Sequence, residues 1–193
     1  MKDIHNHILF GIDDGSESLE ESIQIIKEAV QNGYTDIILT PHYRSIQDFT
    51  CDNQEKKRIF EQLTQEVERQ NIPVHLYLGN EVTLDGDLMK YLKTDQILTL
   101  NESRYLLLEL PFHSKFAMLH ELIFRLRTAG IVPIIAHPER YEYYKDLDEF
   151  QQMIQEGALM QGNIGSLYCK YGKNVQERLE EMLKRHMIHF IGS

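Results

Sequence analysis

Five segments of the chain carry residues that could do chemistry: His5-Asn6-His7, Thr40-Pro41-His42, Asn80-Glu81, Glu109 within Leu106-Leu107-Leu108-Glu109-Leu110, and His137-Pro138-Glu139-Arg140. Imidazoles and carboxylates are the ligands that Mn²⁺, Fe²⁺ and Zn²⁺ accept. A His-x-His at a strand end can aim both rings at one ion. A carboxylate such as Glu81 can bridge two ions, which is how clustered sites are assembled. Glu109 is the sharpest single case, because a carboxylate inside an apolar run is costly to bury without a cation. Taken singly, each histidine reads equally well as a surface or hydrogen-bonded core residue. Taken together, the surface reading would need several independent segments to present ligand types by accident. Gly11-Ile12-Asp13-Asp14-Gly15 has the composition of a polar turn, yet it follows the first histidine pair, so Asp13 joins the candidate ligands. Arg140 could end in a surface ion pair. Three residues past His137, its guanidinium also suits the paired oxygens of a phosphate.

The elements that must position these residues alternate from end to end. Short apolar runs around Asp3–His5, Asp36–Thr40, Val74–Gly79, Tyr105–Leu110, Val132–Ala136, Leu159–Asn163 and Ile188–Gly192 read as about seven strands. Between them, Ser18 and Glu21 have the capping-box form, Ile23, Ile26, Ala29 and Val30 recur at helical spacing, and Gly33 is a C-terminal stop. Asn53–Gln70, Lys115–Ala129, Leu147–Gln155 and Asn174–His186 repeat the helical pattern, with a shorter piece near Asp87–Leu92. Strand, helix and strand in succession require parallel pairing. Apolar runs such as Ile37-Ile38-Leu39 suit strands covered on both faces. The expectation is one α/β domain over residues 1–193, a parallel β/α barrel slightly smaller than the eight-stranded one, with functional groups past the carboxyl ends of the strands.

Composition narrows the function. Among 193 residues, 20 Lys and Arg face 30 Asp and Glu, a net charge of −10 and the wrong sign for neutralising nucleic-acid phosphates. No apolar run approaches the roughly 20 residues that cross a bilayer, and the N-terminus lacks the apolar stretch of a secretion signal, so a cytoplasmic protein without membrane insertion is expected. Cys51 and Cys169 have no metal-type spacing and fit a reducing compartment. A thiolate phosphatase is disfavoured, since the sixth residue after Cys51 is Lys57 and after Cys169 is Val175, where an arginine is needed. Neither a phosphate-cradling Gly-Lys-Ser/Thr loop nor a dinucleotide fingerprint is present. His75, His113, His120, His186 and His189 fall outside strand ends and receive no role.

His5-x-His7, Thr40-Pro41-His42 and Ala136-His137-Pro138-Glu139-Arg140-Tyr141 resemble the first motifs of the polymerase and histidinol phosphatase (PHP) superfamily. Within it, the segments 3–15, Gly79-Asn80-Glu81-Val82 and 158–167 resemble the manganese-dependent protein-tyrosine phosphatases of bacterial capsule and exopolysaccharide loci. The similarity runs from residue 3 to the last. The resemblance implies a distorted seven-stranded β/α barrel with two or three Mn²⁺ ions, Fe²⁺ or Zn²⁺ being chemically admissible. One ion would take His5, His7 and Glu81, a second Glu81, Glu109 and His137, and a third Asp13 and His42, while Arg140 would hold the phosphoryl group. It further implies phosphotyrosyl protein substrates, notably the tail of a bacterial tyrosine kinase, and it allows a homo-oligomer. The family continues past the last strand with an Asp-x-His motif and closing helices. This sequence stops at Ser193, where that Asp is expected, which implies a domain truncated at its C-terminus with the first and third sites each short of one ligand.

The reaction expected is hydrolysis of a phosphate monoester by a metal-bound hydroxide attacking phosphorus in line. Two rivals remain. A small-ester phosphatase, such as a histidinol phosphatase, would keep the metals and change the substrate, and a non-catalytic fragment would bind metal or phosphate without turnover.

Overall fold

A computed structural model describes residues 1–45 and 49–192. The chain divides into two compact units, Met1–Ser103 and Arg104–Ser193.

The first unit begins with β1 (Lys2–Asp3), followed by α1 (Leu19–Gln31), β2 (Asp36–Leu39), β3 (His42–Tyr43), α2 (Asn53–Arg69), β4 (His75–Leu78), β5 (Glu81–Thr83) and α3 (Leu88–Lys93). Ser18 caps α1 by accepting the Glu21 N–H at 3.2 Å, and Glu21 reaches back to the Glu17 N–H at 2.7 Å, one residue before the cap. Gly33, at φ +87°, lets the chain leave the helix, a conformation that L side chains resist. Asp52 caps α2 in the same way at 2.8 Å. The inner faces of α1 and α2 supply Ile23, Ile26, Ile59 and Leu63 to a core that also holds Ile37 and Leu39 of β2.

Parallel strands β1, β2 and β4 form one sheet in that order, and β3 pairs in parallel with β5. Where the sequence predicts uninterrupted strands over Asp36–Thr40 and Val74–Gly79, the chain instead jogs and resumes as β3 and β5. Register survives the jog: Leu39 lies opposite Leu78 and, three residues on, His42 lies opposite Glu81. Pro41 has no N–H to give a ladder, while its carbonyl accepts from Glu81 N at 3.2 Å and from Asn80 Nδ2 at 2.9 Å. The Oδ1 of Asn80 accepts from Leu98 N at 3.0 Å and from Lys56 Nζ at 2.9 Å. Lys56 is a helix α2 residue only 1% exposed, and burial pulls its pKa down to about 8. One amide side chain therefore ties both jogs to a buried ammonium.

In the second unit, β6 (Tyr105–Glu109), β7 (Val132–Ala136), β8 (Leu159–Asn163) and β9 (Phe190–Gly192) are parallel and adjacent in that order. Their connections carry α4 (Leu119–Thr128), α5 (Asp148–Gln155), α6 (Ile164–Leu167) and α7 (Lys173–Lys184). Leu106, Leu107 and Leu108 of β6 and Ile134 and Ile135 of β7 are all buried, as expected of parallel strands covered on both faces. Strands occur at all seven expected positions, the first at Lys2–Asp3 rather than Asp3–His5, which leaves His5 beyond it, and the last shortened to Phe190–Gly192. Among the described residues no helix is long and apolar enough to cross a membrane.

Asn80→Ala leaves a buried ammonium and a backbone N–H without their acceptor and is expected to destabilise the chain by about 3 kcal/mol. Adding Lys56→Met to that variant is expected to recover part of the loss, measured by urea unfolding of both.

Candidate metal centre

After β1 the chain leaves the ladder, and Asn6 organises the departure. Its backbone carbonyl accepts from Thr40 N, its backbone N–H donates to Thr40 Oγ1, and its side-chain amide donates to Ile38 O at 3.0 Å. With Asn6 held against β2, the flanking rings of His5 and His7, two residues apart and so on one side of the chain, lie 5.5 Å apart between centroids. The following loop returns through Gly15, where a Cβ would stand 2.1 Å from the His7 carbonyl oxygen, so only glycine fits.

Glu81 is the convergence point in the first unit. His5 Nε2 lies 3.3 Å from its Oε1, and His7 Nε2 lies 3.4 Å from its Oε2. His42 Nδ1 stands 2.8 Å from the same Oε2 but without the alignment of a hydrogen bond. Behind His7, Asp13 Oδ2 lies 2.8 Å from Nδ1 and also accepts the His42 backbone N–H at 2.7 Å, while Oδ1 accepts from Gly15 N at 3.0 Å. A carboxylate on Nδ1 fixes the tautomer that leaves Nε2 directed at Glu81, the usual support of a metal-binding imidazole. Asp13 is thus heavily committed. Its neighbour Asp14, 60% exposed at the side chain, is open and 3.6 Å from His42 Nε2.

Two ligand-type groups follow among the described residues of this unit: His5, His7 and Glu81, and His7, Asp13, Asp14 and His42, the donor atoms of each lying within 4.8 Å of one another. Nitrogen and carboxylate oxygen donors at this spacing, with the ill-aligned His42–Glu81 approach, fit a divalent cation.

Protons already register the negative charge. Burial alone would lower the pKa of His7, but hydrogen bonds and charge from Asp13 and Glu81 outweigh it and push the imidazole up to about 10. Asp13 is held below the usual carboxylate range: burial opposes this, and His7 with the His42 and Gly15 N–H groups prevails.

Asp14 and Arg44 escape a reading of the sequence alone. Arg44 Nη2 donates to His42 Nε2 at 2.7 Å, and its Nε donates to Thr83 Oγ1 at 3.2 Å. Both had signals: Asp14 follows Asp13 in the same acidic turn, and Arg44 is two residues past His42, on the same side of extended backbone.

In the second unit, Glu109 ends β6 and lies 3.6 Å from His137 Nε2, with side chains 3% and 2% exposed. His137 takes φ 34°, ψ 56°, a left-handed conformation that is unfavourable for a non-glycine residue and further disfavoured before a proline. The turn is pinned by Glu139, whose Oε1 accepts from Asn163 N at 2.9 Å and Ser166 Oγ at 2.7 Å. Arg140 emerges from this turn with its guanidinium over the Phe112 and Tyr171 rings.

For His7 the sign of the pH effect is fixed. Its folded pKa of about 10 lies above the ordinary 6.5, so its contribution is complete below about 6.5 and lost as pH rises through 10. With a chelator present, unfolding free energy is expected to fall between those limits, and His7→Gln is expected to flatten the fall in urea titrations at about pH 6, 8 and 10.

Known proteins resemble the chain along its whole length. CapC of Staphylococcus aureus is 36% identical over 194 residues, covering 100% of this chain and 76% of that protein. The tyrosine-protein phosphatase YwqE of Bacillus subtilis is 31% identical over the same length with the same coverage. A solved structure from work on YwqE and on CpsB of Streptococcus pneumoniae, described as metal-dependent tyrosine phosphatases, matches with a TM-score of 0.93 at 31% identity, covering 100% of this chain and 78% of that one. With residues 1–193 matched by the family profile, the chain belongs to the CpsB/CapC family of capsular polysaccharide synthesis.

Proposed function

We propose that the chain hydrolyses phosphotyrosine in proteins, in the service of capsule or exopolysaccharide synthesis, with divalent metal ions as cofactor. The observation that carries this reading is the convergence of His5, His7 and His42 on the buried carboxylate of Glu81. The names of YwqE and CpsB as tyrosine phosphatases, and the description of both as metal-dependent, support it.

In this reading His5, His7 and Glu81, His42 with the Asp13–Asp14 pair, and Glu109 with His137 hold the ions. A thiolate-free donor set makes Mn²⁺ the first choice, with Fe²⁺ or Zn²⁺ chemically admissible. When bound, the ions supply an activated water and neutralise charge on the transferring phosphoryl group. Asp13 keeps the His7 tautomer, and Arg140 clamps the equatorial phosphoryl oxygens with a fixed positive charge. The same reading takes in a single domain over 1–193 with the distorted seven-stranded PHP barrel, a cytoplasmic location, a tyrosine-kinase tail as substrate, and a homo-oligomer.

Phosphotyrosyl-peptide hydrolysis is expected to require added Mn²⁺ and to stop with chelator or in His7→Ala. Glu81→Gln and Glu109→Gln are each expected to lower kcat/KM by about 10³-fold or more. Full activity in either Gln variant rejects this assignment of ligands. Faster turnover of histidinol phosphate than of the peptide moves the substrate to the small esters.

A further inference from the structure

Arg140 is embedded in aromatic rings. Its guanidinium carbon lies 4.8 Å from the ring centroid of Phe112 and 4.3 Å from that of Tyr171. Phe112 is also stacked on the His137 imidazole, with centroids 5.7 Å apart and planes 12° from parallel, and it lies 5.6 Å from the Tyr141 ring.

Packing alone does not account for Phe112. Leu110 is 1% exposed and Tyr141 is fully buried, whereas Phe112 keeps 36% of its surface in water. A lone exposed apolar side chain is ordinary. This one differs because it contacts both a candidate metal ligand, the imidazole of His137, and the group that would meet a phosphoryl group, the guanidinium of Arg140.

A phosphate ester bound through Arg140 brings the first group beyond its ester oxygen beside that guanidinium. In an aryl ester this group is a flat ring, which gains by stacking on another ring and by excluding water from it. In an alkyl ester it is a methylene chain with no face to offer. The cation–π contacts further hold the guanidinium against the rings, so that the charge and the apolar platform are presented together.

We propose that Phe112, with Tyr171, is the specificity-determining element of this site, selecting aryl over alkyl phosphate esters by stacking the ring of the ester beside Arg140. The proposal rests on the phosphatase reading above, which supplies the phosphoryl group at Arg140.

Non-hydrolysable ligands separate the two ideas. Calorimetric titration of the Mn²⁺-loaded chain with phenylphosphonate and with methylphosphonate is expected to show the phenyl compound binding about tenfold more tightly. Phe112→Leu, which keeps bulk and removes the π face, is expected to bring that ratio close to one, and Phe112→Tyr to retain it. Equal affinity of the wild-type chain for the two phosphonates, binding of neither, or an unchanged ratio in Phe112→Leu overturns the proposal. If Phe112→Leu does not fold, the wild-type ratio and its retention in Phe112→Tyr decide, and a ratio lost in Phe112→Tyr overturns it. Turnover of a phosphotyrosyl peptide judges the phosphatase reading separately. A chain that hydrolyses the peptide but binds both phosphonates alike keeps that reading and loses this one.

Discussion

A carboxylate that is 1% exposed with three imidazoles turned toward it is a charge that the fold must match, and Glu81 is that charge. Removing a carboxylate from water costs several kcal/mol unless a cation or donors replace the lost hydration. The first unit supplies those partners from separate stretches of chain: two imidazoles from the loop after β1 and one from β3. Neither stretch is a regular continuation of its strand: the chain leaves the ladder at Asn6 after β1, and it jogs at Pro41 between β2 and β3. The irregularities at Asn6, Pro41 and Asn80 are what bring nitrogen donors from different strands to one oxygen pair.

Each irregularity is stabilised by side chains that serve more than one partner. Asn80 bridges a carbonyl, a backbone N–H and an ammonium. Asp13 joins an imidazole to two backbone N–H groups. Glu139 does the equivalent in the second unit, holding the turn that carries the left-handed His137. Strained backbone persists only where its surroundings over-determine it, and at His137 it falls on a candidate ligand.

The repeating elements were legible in the sequence because burial on both faces writes a long apolar run and helices write a 3.6-residue period. The ligand-type residues were legible for a chemical reason: a Glu inside Leu106-Leu107-Leu108-Glu109-Leu110 contradicts its surroundings. The jogs were not, since Thr40-Pro41 and Gly79-Asn80 read as strand ends, and nothing local says that the pairing resumes in the same register. The separate positions of Asp13 and Asp14 were equally hidden. Adjacent acidic residues differ only in which way a turn points them, and the long-range bond from His42 N to Asp13 decides that. Nor does sequence spacing bring Phe112 and Tyr171 to Arg140, because the three come from different connections of the second unit.

Preservation of register across the two jogs constrains the length of the chain as well as its residues. Leu39 to His42 and Leu78 to Glu81 span the same number of positions on paired strands. Removing one residue from either span would shift that strand against its partner and carry its imidazole or carboxylate to the other face. Insertions and deletions in these spans are therefore tolerated only when matched in both.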